Sequence, residues 1–221
     1  MSSSIALFLF IGEIILIYAL SRLTLKNTYR FFHHLKWSNG SIIGIVSFLY
    51  APGTIVHELS HYLVALFLNM HPREMSFFPV VEGNRVKLGH VLYEKNKGDF
   101  IRPLLVGIAP FFGALGVLWL LIHGSFFPGK EWWQTALFGY LILAITANMF
   151  SSPQDLIDIG YVIPLVIVIG LILYLFPLSI PTQYLASLNE RMYFFIMTIQ
   201  PPLLFSVGFH AILVVLLSRF K

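Results

Sequence analysis

Long apolar runs divided by short polar breaks set the pattern of this chain. The runs cover Ile5 to about Leu23, Ser41 to about Met70, Ile101 to about His123, Trp132 to about Phe150, Ile159 to about Leu178 and Tyr193 to about Leu217. Most of them approach or exceed the roughly 20 residues a helix needs to cross a bilayer. The expected fold is an all-α polytopic membrane protein with about six transmembrane helices. Two runs are punctuated. Pro52 has no N–H and disfavours helical geometry at Ala51. A broken helix is therefore expected there, with Thr54 capping a fresh segment. Pro201-Pro202 predicts a kink in the last run, and Pro110 a bend near the start of the third.

The breaks differ in kind. Arg22 to Gly40 carries Lys26, Arg30, Lys36 and the pair His33-His34. It reads as a basic, interfacial loop against lipid, since adjacent histidines on a helix point apart and do not chelate together. Pro181 to Arg191 reads as a short connecting loop. His71 to Phe100 is the one extended polar stretch. Met75 to Val81 and Arg85 to Tyr93 flank Glu82-Gly83-Asn84, and Arg85 to Val91 alternates polar and apolar. A short β-hairpin insert between the second and third spans is expected. His90 on it reads as a surface histidine, and His71, before Pro72, as part of a helix end.

Composition sharpens the class. Of the 221 residues, 57% are hydrophobic and 11% charged, and the mean hydropathy is +0.81. A soluble domain carries roughly 25% charged residues. The length leaves no room for a separate soluble domain of ordinary size, so residues 1–221 read as one integral, multi-pass membrane domain. The net charge of +4 sits in short loops and is no nucleic-acid signal. Without cysteine, disulfides and thiolate metal sites are excluded. Met1-Ser2-Ser3-Ser4 lacks the basic start of a cleaved signal peptide, so the first run is expected to be retained. Lysine and arginine flank the second run on both sides, which leaves orientation open.

Inside the second run stands His57-Glu58-Leu59-Ser60-His61, an HExxH motif. Helical residues at i and i+4 share a face, so the two imidazoles can grip one metal ion. Glu58 projects beside them as a base for an attacking water. A catalytic zinc, one per chain, wants a third protein ligand and an open position. In so apolar a chain the candidates are Asp155, Asp158 and Glu13. Acids at membrane depth are expensive and need a use. Asn148 is placed to hold a peptide or a developing oxyanion through its amide.

With these residues in view, the chain resembles the site-2 protease family of intramembrane zinc metalloproteases. The likeness runs collinearly over about residues 41–160. The HExxH segment comes first, then the hairpin-like insert, then Gly107-Ile108-Ala109-Pro110, then Asn148 to Asp158 with Ser151-Ser152-Pro153-Gln154-Asp155-Leu156. The resemblance implies that His57 and His61 bind zinc, Glu58 is the base, Asn148 orients substrate, and an aspartate of the last motif is the third ligand. The family's Leu-Asp-Gly is absent. Asp155, seven positions after Asn148, is nearer the family spacing than Asp158, ten after it. The implied activity is hydrolysis of a transmembrane or membrane-proximal protein substrate by a core without regulatory domains. The alternatives are a client-binding pseudoprotease that does not cut, and a metal or ion transporter using Glu13, Asp155 and Asp158. The prenyl-protein proteases are a further enzymatic lineage, but the late Glu-x-x-x-Asp stretch they would need is missing.

Overall fold

The computed structural model describes residues 3–82, 85–87, 89–94, 98–150, 162–175 and 182–220. Within them the chain forms α1 (Ser3–His34), α2 (Asn39–Phe67), strands β1 (Glu74–Ser76), β2 (Val80–Glu82), β3 (Arg85–Lys87) and β4 (His90–Leu92), then α3 (Ile101–His123), α4 (Trp132–Asn148), α5 (Val162–Leu175) and α6 (Thr182–Leu217). Among the described residues four helices are long and apolar enough to cross a membrane: α1, α2, α3 and Gln183–Leu217 within α6. At 17 and 14 residues, α4 and α5 are shorter than those four. Asp155 and Asp158 lie outside the described residues, as does the segment that joins α4 to α5.

Two expected loops are helical. Most of the basic stretch after residue 22 continues α1 as far as His34, because nothing from Leu23 to His34 breaks a helix and Thr24 and Asn27 are buried on its inner face. The stop is local. Lys36 N–H donates to the His33 carbonyl (2.9 Å) and Trp37 N–H to the Phe32 carbonyl (3.4 Å), with Lys36 in the left-handed region at φ 59°. Residues 182–191, expected as a connection, begin α6, which also runs through Pro201-Pro202.

The expected break at Pro52 does not occur. Helix α2 is continuous from Asn39, where the Ser38 hydroxyl accepts the Ser41 N–H, to Phe67. Thr54 caps nothing, since its hydroxyl donates back to the Tyr50 carbonyl at 3.2 Å. Tertiary contact overrides the local preference. Gly53 lies so close to the α4 backbone that a Cβ there would overlap the Ala144 carbonyl. Tyr140 donates to the Leu49 carbonyl (2.9 Å), and His57 meets the Asn148 carbonyl. Both contacts span 91 positions, so α2 and α4 run side by side in the same direction. Gly53 is thus a close-approach glycine rather than a hinge.

The core gathers Ile17 of α1, Leu115 and Leu118 of α3, Ile142 and Ile145 of α4 with Met149 just after it, and Ile199 and Leu203 of α6. Polar pairs are buried within the bundle as well: His210 with Thr24 (3.1 Å) and Thr146 with Ser206 (2.7 Å). Phe8, Phe48, Phe67, Trp132, Leu204 and Val215 face outward. An outer surface this apolar suits lipid contact.

The hairpin insert is present, in two parts. Strands β1 and β4 pair antiparallel with Met75 opposite Val91, and β2 and β3 with Val81 opposite Val86. Its base is tied to the end of α2: Glu94 N–H donates to the Met70 carbonyl and Arg73 N–H to the Leu92 carbonyl, each at 2.9 Å. Arg73 also pairs with Glu94, with His71 3.8 Å away. Asp99 opens α3 by accepting the Arg102 N–H and pairing with its guanidinium.

Candidate metal centre

The HExxH residues occupy the second half of α2, between α3 and α4. Each histidine is fixed through Nδ1 by a carbonyl that its own helix leaves spare. His61 Nδ1 lies 2.7 Å from the Val106 oxygen. In a regular helix that oxygen would accept from residue 110, but Pro110 has no N–H to give. His57 Nδ1 lies 2.6 Å from the Asn148 oxygen. Asn148 is the last residue of α4, where helix carbonyls lack intrahelical partners.

A carbonyl only accepts, so each Nδ1 carries a proton, and in the neutral ring Nε2 then has the lone pair a metal needs. The two Nε2 atoms face each other at 3.2 Å. Two imidazoles on a tetrahedral zinc, each at about 2.05 Å, would hold their nitrogens about 3.3 Å apart. The donor set therefore fits zinc, and the two carbonyls supply the outer bonds that orient metal-binding histidines.

Glu58 is buried at the same level, at 7% exposure. The hairpin rests on it. A Cβ built on Gly89, just before β4, would stand 2.7 Å from Glu58 Cγ, 2.9 Å from its Oε1 and 2.8 Å from the Ser76 carbonyl. Only glycine lets the strand lie this close. Replacing Gly89 with valine is expected to push the hairpin off Glu58. Any activity that depends on Glu58 should fall by at least about tenfold, because displacement of positioned groups by an ångström weakens catalysis steeply. Unchanged activity in Gly89→Val would show that the hairpin has no part in the site. On the opposite side α3 approaches through Gly113, where a Cβ would overlap the Ser60 hydroxyl.

Of the residues singled out in the sequence, His57, Glu58 and His61 are brought together. Asn148 joins them through its carbonyl, while its side-chain amide donates to the Ala144 oxygen at 2.9 Å. Glu13 is buried on α1 but does not join the histidines, and among the described residues no third His, Asp or Glu completes a metal group. His90 lies on β4, one residue after Gly89. Val106, Gly53 and Gly89 are the contributors the sequence reading missed. For Val106 the signal was its spacing of four before Pro110. Comparison with protein-family models, with curated proteins and with solved structures returns no match.

Proposed function

We propose that this chain is an integral, multi-pass membrane zinc endopeptidase similar to the site-2 proteases, acting on transmembrane or membrane-proximal protein substrates. One observation carries the reading: two imidazoles, each with Nδ1 on a carbonyl and their Nε2 atoms 3.2 Å apart, beside a buried glutamate, in a bundle of membrane-length helices. Zinc, when bound, supplies Lewis acidity that polarises the scissile carbonyl and acidifies water near neutral pH. The chain's own groups do the rest. His57 and His61 hold the ion, pinned by the Asn148 and Val106 carbonyls. Glu58 takes a proton from the attacking water and returns it to the leaving amine. The apolar walls of α2 and α3 exclude bulk water and strengthen each charge interaction. In this reading an extended substrate segment adds to β4, which pairs with β1 and follows the Gly89 that rests on Glu58.

In this reading Asp155 completes the ligand set and Asp158 supports it. Asp155→Asn should abolish stoichiometric zinc, while Asp158→Asn should weaken zinc affinity roughly 10–100-fold. The reverse ranking in zinc titrations would reassign the third ligand. The reading as a whole is tested by reconstituting the protein in liposomes with single-pass reporter proteins and following new termini by mass spectrometry. Cleavage that stops with a zinc chelator and returns with added zinc is expected. Binding of the reporters without cleavage would favour the pseudoprotease alternative, and ion flux that survives Glu58→Gln would favour a transporter.

A further inference from the structure

The end of the bundle opposite the hairpin is predominantly basic; among the described residues the acid found there is Glu131, at the N-cap of α4. Helix α2, 29 residues long, separates the two ends by about 43 Å. No Asp or Glu occurs between residues 14 and 57, or from residue 191 to 221, and the ends of α1 and α6 meet within those stretches. Phe220 packs on Phe31 (4.9 Å between ring centres) and lies 6.0 Å from the His34 ring. Among the described residues no carboxylate pairs with Lys26, Arg30 or Lys36.

This end also has a shaped recess. A cavity of about 410 Å³ is lined by Tyr29, Arg30, His33 and His34. Tyr29 is held in place by its hydroxyl, which donates to Asn39 Oδ1 at the start of α2 (3.1 Å). Arg30 and His34 stand one helical turn apart and so face the same way. A guanidinium and two imidazoles offer donors and no negative charge, the chemistry that recognises phosphate. Just past the end of α1, Leu35 and Trp37 are exposed, and Phe32 packs on Trp37 at 5.0 Å. Tryptophan in that setting marks the level of lipid headgroups.

We propose that this recess binds the phosphate of an anionic phospholipid, with Arg30 and the two histidines on the phosphate, Lys36 close by past the end of α1, and the exposed Leu35 and Trp37 at the level of glycerol and the upper acyl chain. These exposed apolar side chains argue for lipid over free phosphate, which would gain nothing from them. Lys36 supplies a clean lever. It occupies a left-handed backbone position that glycine takes without strain, so Lys36→Gly removes the charge while easing the backbone.

The test uses the full-length protein in neutral detergent, titrated separately with short-chain phosphatidylglycerol, short-chain phosphatidylcholine and sodium phosphate. Bound lipid is counted by native mass spectrometry and stability is followed by thermal unfolding. Phosphatidylglycerol is expected to remain bound and raise the unfolding temperature; the other two are not. Arg30→Ala and Lys36→Gly should each weaken phosphatidylglycerol binding about fivefold, as removal of one interfacial cation does. Lys36→Gly should match or exceed wild-type stability before lipid is added. Equal binding of phosphatidylcholine, an equal response to phosphate alone, or unchanged phosphatidylglycerol binding in both variants would each overturn the proposal. No readout involves peptide cleavage, so the outcome is separate from that of the protease reading.

Discussion

Glu58→Gln is expected to lower peptide hydrolysis by roughly 10²–10⁴-fold while leaving zinc in place, the loss typical when a positioned proton acceptor is removed. Glutamine has nearly the shape of glutamate, so it fills the same buried space under Gly89 and should not disturb the hairpin. What it lacks is the capacity to take a proton from water. The variant should keep the wild-type unfolding temperature to within a few degrees and hold about one zinc per chain. Reporter cleavage in liposomes measures the effect. Cleavage at the wild-type rate would remove Glu58 from the chemistry and, with it, the mechanism.

His57→Ala and His61→Ala are expected to lose the metal altogether, measured by elemental analysis after dialysis. A single remaining imidazole has no partner across the 3.2 Å gap. The two variants should differ in stability. Each strands a carbonyl, and an unsatisfied buried acceptor costs about 1–3 kcal/mol. Asn148 sits at a helix end, where the chain has room to adjust. Val106 sits inside α3, where Pro110 has already taken away the helical partner, so His61→Ala should be the less stable of the two. Adding Pro110→Ala to His61→Ala supplies an N–H for Val106 and should recover part of the lost thermal stability, yet none of the zinc. A double variant that melts no higher than His61→Ala would show that the Val106 carbonyl is not held by the histidine.

The pattern of apolar runs places four of the six described helices, α2 to α5, near their observed bounds, α3 most closely, because long apolar segments must satisfy their backbone internally. The hairpin was legible from the Glu82-Gly83-Asn84 interruption in the sequence and its alternating flank. The reading fell short wherever a local signal met tertiary packing. Pro52 looked like a break, but α4 packs against Gly53 and α2 continues unbroken through both residues. The basic residues after Leu23 looked like a loop, but Thr24 and Asn27 face inward, and the buried Thr24 meets His210. The His57–His61 pair could be read directly, since an i, i+4 spacing fixes a shared face. The carbonyls that set their tautomers could not, because they come from helices 45 and 91 positions away. Gly89 was equally hidden, as its need for a bare Cα arises from the approach of Glu58 rather than from its own turn.

X-ray absorption at the zinc edge of the purified protein tests the central claim most directly. The account predicts about one zinc per chain with two imidazole nitrogens at about 2.0–2.1 Å, oxygen in the remaining positions and no sulfur, with the imidazole signal gone in His57→Ala. A wild-type protein that binds no zinc, or a zinc spectrum without imidazole scattering, would contradict it.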